Sequence, residues 1–321
     1  MKKCKIVRAV SALVWGVLSA LSGTEAMQQP YREESVLSRS AVAFEGRMIT
    51  YSDPKFREIL QKTTKPSDSH RQLFIISADV KEMPEWYFHG CRFLGIAFEL
   101  NSQLQVVRES TFASCTWLRS ICIPSGVEEL GKDCFAFCNQ LASVTFAGSS
   151  VRILGEGAFS RSALPLVVIP ESVEEIGKNC FAHCVSLSVV LFGADPRLHT
   201  LGEGAFARSA LSRIVVPWSV EIIGDYCFEN CVLANLTFEP DSRLWSVGTH
   251  AFASSGLPSI AFPESVESFG ECCFSDCSSL LSITFGQSVH LLTMGDGMFA
   301  RSGFRSIMIP AHVVALGKSC F

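Results

Sequence analysis

Phenylalanine recurs at nearly regular intervals through most of this chain. Consecutive members of the series are 22 to 25 residues apart: Phe112, Phe135, Phe159, Phe181, Phe206, Phe228, Phe252, Phe274, Phe299 and Phe321. A repeat of this length cannot bury its apolar face alone, so successive copies must stack and share a core. The sequence therefore predicts an elongated solenoid, and we expect function on an extended surface.

The amino-acid composition is consistent with a continuous hydrophobic core and does not favour a nucleic acid partner. Of the 321 residues, 48% are hydrophobic and only 18% are charged, which argues against a disordered chain. The formal net charge of −4 gives no basic surface, so no nucleic acid partner is expected. Because a solenoid grows by adding coils of one kind, we predict one long repeat domain and not two globular domains.

The N-terminus has the pattern of a secretory signal. Four basic residues precede an apolar stretch from Ala9 to Leu21, and a small-residue cleavage site follows at Ala26. The alternative is an uncleaved anchor helix, but the stretch is shorter than the roughly 20 residues that span a bilayer. We predict a signal peptide over 1–26, a cap or lead-in over 27–70, and a solenoid over 71–321 that ends in mid-repeat. The mature chain is expected to be secreted or at the cell surface, without a membrane span.

Two unit types alternate along the repeat region. One reads LPLVVIPESVEEIGKNCFAHCVS from Leu164, and the other reads LSVVLFGADPRLHTLGEGAFARSA from Leu187. The opening L-x-x-I-x-I has the period of a strand. We therefore expect Leu164, Val167 and Ile169 to point inward, and Leu166 and Val168 to point outward.

The rest of each unit predicts how the chain returns to the next strand. A proline at the strand end stops pairing, and a second short extended piece ends at a glycine. A helical or 3-10 turn around the phenylalanine then closes the coil, so that the phenylalanines stack as an internal column. With a weaker unit over Phe93 to Trp117 and a degenerate one near Arg71 to Arg92, about eleven coils are expected.

This unit resembles the BspA-type leucine-rich repeat, whose sequence is similar to LxxIxIPxSVxxIGxxAFxxCxxL. The resemblance covers Phe93 to Phe321 and recurs nine times, with the Pro, Gly, Phe and Cys/Ser positions mostly in place. It implies a right-handed leucine-rich-repeat solenoid with short parallel strands. For many members it also implies a secreted or surface location and a role in adhesion or protein recognition.

The cysteines follow the repeat. Pairs spaced C-x-x-x-C occur in every second unit: Cys134/Cys138, Cys180/Cys184, Cys227/Cys231 and Cys273/Cys277. The intervening units carry Ala, or Met298, at the first position and Ser at the second, which is typical of a packing ladder. Equivalent cysteines lie two coils apart, roughly 10 Å, beyond the reach of a disulfide. We predict buried free thiols, disfavour a cysteine-based enzyme, and predict no catalytic, cofactor-binding or metal-binding residue.

Two further patterns have structural interpretations. The Gly-rich strings at Gly155, Gly202 and Gly295 lack the Lys-Ser/Thr ending of a phosphate-binding loop, so we interpret them as turn glycines. Glu128, Arg152 and Glu174 occupy the same place in successive coils with alternating charge. They predict an exposed ladder of ion pairs.

The outward strand positions give the best candidate for a binding site. They are small or polar in the end coils and apolar in three middle coils, where a contiguous patch is predicted: Leu166, Val168, Val189, Leu191, Val215 and Trp218. Such a patch on a soluble protein often marks a partner site, although Val and Leu also suit any strand. The sequence favours a protein-binding or adhesion module, with a host or matrix protein as partner. The alternative is a spacer or envelope component that self-associates through Phe304 to Phe321.

Overall fold

A computed structural model of the chain describes residues 73–92, 95–148, 150–286, 293–303, 306–311 and 313–321. The predicted signal peptide over 1–26 and the predicted lead-in over 27–70 lie outside the described residues. All regular structure in the described ranges is β-strand, numbered here in chain order.

Each of ten described coils contributes one longer strand and one strand of two residues, and the last described coil contributes only a strand of two residues. The longer strands are β1 (Leu73–Ile76), β3 (Gly95–Phe98), β5 (Ser120–Ile123), β7 (Ser143–Phe146), β9 (Leu166–Ile169), β11 (Val189–Phe192), β13 (Arg213–Val216), β15 (Asn235–Phe238), β17 (Ser259–Ala261) and β19 (Ser282–Thr284). The two-residue strands are β2 (Glu82–Met83), β4 (Val106–Val107), β6 (Glu129–Leu130), β8 (Ile153–Leu154), β10 (Glu175–Ile176), β12 (Thr200–Leu201), β14 (Ile222–Ile223), β16 (Ser246–Val247), β18 (Ser268–Phe269), β20 (Thr293–Met294) and β21 (Ala315–Leu316).

All described strand pairs are parallel, and each pair joins a strand to its counterpart in a neighbouring coil. The short strands β2 to β18 form one sheet of nine strands, and β20 pairs with β21. The longer strands form the sheets β1-β3-β5-β7, β9-β11-β13-β15 and β17-β19. The fold is therefore a parallel β-solenoid of about ten turns. Its right-handed sense and the count of eleven coils stay predictions.

The core lies between the strands and the turn that closes each coil. Leu164, Val167 and Ile169 are fully buried, whereas Leu166 and Val168 are only half-buried, which confirms the predicted alternation. The phenylalanines form the predicted column, with successive ring centroids 5.2 to 5.7 Å apart and nearly parallel planes. Phe88 extends this column by stacking 5.2 Å from Phe112, although it was not part of the predicted series.

The predicted helical or 3-10 turn around the phenylalanine is not found in the described residues. In the turn around Phe135, the N–H groups of Cys134 and Ala136 donate to carbonyls three residues earlier in the same turn. The N–H groups of Asp133, Phe135 and Phe137 donate instead to the next coil, at 2.7 to 2.8 Å. A helix cannot form because half of its donors are used between coils, and this side of the solenoid gains a third ladder of hydrogen bonds.

Left-handed backbone conformations accompany this arrangement. The residues two before and two after each column phenylalanine have positive φ in coil after coil, for example 51° at Asp133 and 59° at Phe137. Gly157, Gly204 and Gly297 occupy the first of these places, with φ of 60°, 60° and 61°. Glycine adopts this region without the steric cost that a Cβ imposes. The interpretation of the Gly-rich strings as turn glycines is confirmed at these positions.

Two prolines divide the sheet of longer strands. Just before β11, β13 and β15, the N–H groups of Ser188, Ser212 and Ala234 donate to a carbonyl of the preceding coil at 2.8 to 3.2 Å. The equivalent residues before β9 and β17 are Pro165 and Pro258, which have no N–H. The described sheet is interrupted at these two places, between β7 and β9 and between β15 and β17.

The prolines at the strand ends act as predicted in three coils. Pairing stops at the residue before Pro124, Pro170 and Pro217, while β17 ends two residues before Pro263. The unit pattern places one more longer strand over Ser306 to Ile309, before Pro310, but these described residues have no regular secondary structure.

Replacing Pro258 with serine is expected to close the interruption between β15 and β17. Serine already occupies this place at Ser212, where its N–H reaches the carbonyl of Ser188 at 3.2 Å. The restored donor should slow the amide hydrogen exchange of β15 and β17, since their open edges would become paired. Pro310→Ser, at the proline place that follows the longer-strand segment of a unit, is the control. Unchanged exchange in Pro258→Ser would show that the proline does not cause the interruption.

Candidate binding surface

The structure brings five of the six predicted site residues onto three adjacent strands. Leu166 pairs with Val189 and Val168 pairs with Leu191 between β9 and β11. Between β11 and β13, Val189 pairs with Arg213, which places Val215 two residues further along β13. The strand order β9-β11-β13 confirms that these coils are neighbours. We call Leu166, Val168, Val189, Leu191 and Val215 the apolar patch.

The side chains of the apolar patch are partly exposed to solvent. Leu191 is 42% exposed and Val215 is 52% exposed, while Leu166, Val168 and Val189 are half-buried beside them. Leu166 and Val168 stand directly opposite Val189 and Leu191 in the register of β9 and β11, so these side chains are neighbours on one face of the sheet. The apolar patch offers a partner contiguous apolar area rather than single exposed side chains.

Trp218 lies two residues after the end of β13 and contacts other residues of the chain. The Arg243 guanidinium lies 4.8 Å from the centre of its ring, and its main-chain N–H donates to the Glu239 carboxylate at 3.0 Å. The main-chain N–H of Arg243 in turn donates to the Trp218 carbonyl at 2.9 Å. Because one face of the indole is covered, Trp218 is a half-buried border of the apolar patch and not part of its open centre.

Polar strands flank the apolar patch on both sides. The outer positions are Ser143 and Thr145 in β7, and Asn235 and Thr237 in β15. Arg213 is exposed at the edge, beside Val189. The patch also lies on a single continuous sheet, since the two interruptions fall outside β9 to β15. The apolar patch therefore has a polar border with one cation at its edge.

The interruption at Pro258 opens a crevice that the sequence analysis missed. It has a volume of about 490 Å³ and lies between β15 and β17. Asn235, Thr237 and Ser259 line it on the outer side, with Glu239 and Asp241 at one end. The signal in the sequence was Pro258, directly after the first leucine of its unit, a place that only one other full unit, at Pro165, fills with proline.

The cysteine ladder has the structural role that the sequence predicts. The eight cysteines of the four pairs are buried, and no disulfide links the cysteines that the structure describes. The Cys184 thiol donates to the Phe159 carbonyl at 3.2 Å, and the Ser162 hydroxyl of the preceding coil contacts its sulfur at 3.3 Å. Burial raises the pKa of the Cys180 thiol well above its usual range. A neutral, buried thiol is a poor nucleophile, so these cysteines stabilise the turn.

The charged ladder is present in part. Arg152 donates two hydrogen bonds to the Glu174 carboxylate, at 2.9 and 3.0 Å, and these bonds lower the pKa of Glu174. Glu128 raises the pKa of Arg152 through its charge, but weakly compared with Glu174. Two pairs that the sequence analysis missed lie on the turn side: Lys132–Glu156 at 3.3 Å and Lys178–Glu203 at 2.9 Å. The sequence does indicate these pairs, because the residue three positions before each of four successive column phenylalanines alternates between lysine and glutamate.

Two further kinds of feature are absent from the described residues. No group of three or more His, Cys, Asp or Glu side chains there is arranged to hold a metal ion. Within the same described ranges, no helix has the length and apolar character needed to cross a membrane.

Comparison with known proteins identifies the repeat. The model of a family described as BspA type leucine rich repeat region matches six copies over residues 67–188 and 199–321. A comparison with curated proteins gave no match.

Solved structures with the same architecture are similar to the chain. A leucine-rich repeat protein from Bacteroides ovatus has 24% identity and a TM-score of 0.50, with 68% of this chain and 67% of that chain covered. The pneumococcal vaccine antigen PcpA has 20% identity and a TM-score of 0.48, with 76% and 73% covered. A leucine rich cell surface protein from Faecalibacterium prausnitzii has 21% identity and a TM-score of 0.41, with 77% and 79% covered. At these identities the similarity concerns the fold alone.

Proposed function

Because the chain belongs to the BspA-type leucine-rich repeat family, we propose that it is a non-enzymatic protein-binding module whose docking surface is the apolar patch. The observation that carries this proposal is that, among the outward positions of the longer strands β3 to β19, leucine and valine occur in β9, β11 and β13, between β7 and β15 with polar outward residues. A monomeric protein rarely leaves such a surface unused. Leu191 and Val215, its most exposed members, are the proposed anchors.

The proposed partner is an extracellular protein of the matrix or of a host cell surface. The signal-like segment over 1–26 supports export of the chain, and export brings the apolar patch into contact with such proteins. Arg213 beside Val189 adds a cation at the edge of the surface. We therefore expect a partner with an apolar centre and a carboxylate at its border.

Replacing Val168 and Leu191 together with aspartate is expected to abolish binding. These side chains are paired across β9 and β11, so the change places two charges at the centre of the apolar patch. Both native side chains face outward, and the substitutions should leave the circular dichroism unchanged. The measurement is the binding of the full chain to purified matrix and host-surface proteins by biolayer interferometry. The expected loss of affinity is at least ~10-fold for each central side chain.

The matched control is Ser259→Asp with Ala261→Asp, at the same outward positions of β17. This variant should bind like the native chain. Equal loss in both variants would indicate a general charge effect, and equal binding by all three proteins would show that the apolar patch is not the site. Binding lost only in the control would assign the site to the crevice between β15 and β17.

A further inference from the structure

Three cysteines occupy the same place in three successive coils at the start of the described solenoid. Cys91, Cys115 and Cys138 are each the third residue after a stacked phenylalanine of the column. Further along the chain this place alternates between cysteine and serine, as at Ser162, Cys184 and Ser209. The first three coils therefore differ from all later described coils, because their thiols are on adjacent rungs.

Adjacent rungs bring these thiols close together. The Phe88 carbonyl accepts the main-chain N–H of Cys91 at 3.0 Å and the thiol of Cys115 at 3.1 Å, so both cysteines meet on one oxygen. The Cys138 thiol donates in the same way to the Phe112 carbonyl at 3.2 Å. Burial is the largest cause that raises the pKa of Cys115. A hydrogen bond with the Cys138 thiol and electrostatic interactions with Cys138 and Cys91 also raise it, whereas the Cys91 N–H lowers it.

The separation of adjacent coils suits a disulfide. Neighbouring parallel strands lie about 4.8 Å apart, and a disulfide joins Cα atoms separated by roughly 4.4 to 6.8 Å. This differs from the pairs in later coils, which stand two coils apart. A metal site does not explain the cluster, since the described residues contain no group of three ligands in a suitable arrangement.

We propose that Cys91 and Cys115 form a disulfide that joins the first two described coils in an oxidising compartment. Cys91 is half-buried, whereas Cys115 and Cys138 are fully buried, so oxidation starts at Cys91. Burial raises the pKa of Cys91 to about 11, which places the reaction during folding, before the coil closes over the thiol. The bond replaces the hydrogen bond from Cys115 to Phe88 and prevents the first described coil from separating from the second.

The oxidant is a small-molecule disulfide of the glutathione type. The Cys91 thiolate attacks one sulfur of the oxidant, which forms a mixed disulfide and releases one thiol. The Cys115 thiolate then attacks the Cys91 sulfur and releases the second thiol. Two protein thiols are oxidised, one small disulfide is reduced, and the two protons leave on the released thiols.

The test refolds the full chain from denaturant in a mixture of reduced and oxidised glutathione. Free thiols are then alkylated in denaturant, and the digest is mapped without reduction. We expect two of the fourteen cysteines to escape alkylation and one linked peptide pair to contain Cys91 and Cys115. Reductant should lower the Tm of the oxidised chain by roughly 5 °C or more. Alkylation of all fourteen cysteines, or a link between Cys115 and Cys138, would overturn the proposal.

Variants with serine in place of single cysteines distinguish loss of the disulfide from failure to fold. Cys115→Ser introduces the residue found on this rung at Ser162, so the coil should close normally, the link should vanish, and reductant should no longer move the Tm. Cys138→Ser should retain the link. If Cys115→Ser does not fold, Cys91→Ser replaces it, because its half-buried side chain tolerates the change. Loss of the link in Cys138→Ser alone would also contradict the proposed pairing.

Discussion

Phe181→Ala is expected to lower the free energy of unfolding by about 3 to 5 kcal/mol, the largest effect of any single substitution considered. Phe181 is fully buried, and its ring stacks 5.4 Å from Phe159 and 5.6 Å from Phe206. The cavity cannot collapse, because the Phe181 N–H and its neighbours hold the next coil at fixed hydrogen-bonding distance. Denaturation followed by circular dichroism measures the loss.

The same substitution should also change the shape of the unfolding transition. Each coil of a solenoid contacts only its neighbours, so a cavity at Phe181 weakens the coupling between the two halves. We expect a broader transition with a lower denaturant dependence. Phe137→Ala is the control, since Phe137 is 51% exposed and lies outside the column, with Arg161 over its ring at 5.4 Å. A similar loss in both variants would show that the column is not the main source of stability.

The column and the strand alternation could be predicted because both depend on periods that are visible in the sequence. A phenylalanine recurs every 22 to 25 residues, which is the length of one coil. Because equivalent residues of adjacent coils lie above one another, these rings must stack. Likewise, Val167 and Val168 belong to opposite faces of any strand that contains them. Phe88 was missed because its coil lacks the L-x-x-I-x-I opening, although its distance from Phe112 fits the period.

The turn could not be predicted from a single unit. Cys180 and Cys184 have the i, i+4 spacing of a helical turn, but the N–H groups of Phe181 and His183 between them donate to carbonyls of the next coil. The outcome depends on contacts more than 20 residues away. Glycine at Gly157 and Gly204 was a signal for left-handed backbone that the helical interpretation did not use.

For the candidate site too, some features could be predicted from the sequence and others could not. The outward direction of Leu191 and Val215 follows from the strand period and could be predicted. The packing of Trp218 against Arg243 could not, since it joins residues 25 positions apart in neighbouring coils. The three adjacent thiols were missed for a similar reason, because Cys91 and Cys115 lie outside the C-x-x-x-C pairs that defined the pattern.

Gly202→Ala is expected to destabilise the fold by about 3 kcal/mol, as overpacking against fixed backbone does. A Cβ at Gly202 would lie 2.7 Å from the Ile176 oxygen and 2.7 Å from the Gly177 carbonyl carbon. Neither atom can move away, because the Gly202 N–H already bonds to the same Ile176 oxygen at 2.8 Å. Gly90→Ala is the control: its φ is +70° with open space around it, so the cost should be only about 1 kcal/mol. If chemical denaturation shows the same loss of unfolding free energy in both variants, the neighbouring coil does not pack closely enough at Gly202 to exclude a Cβ.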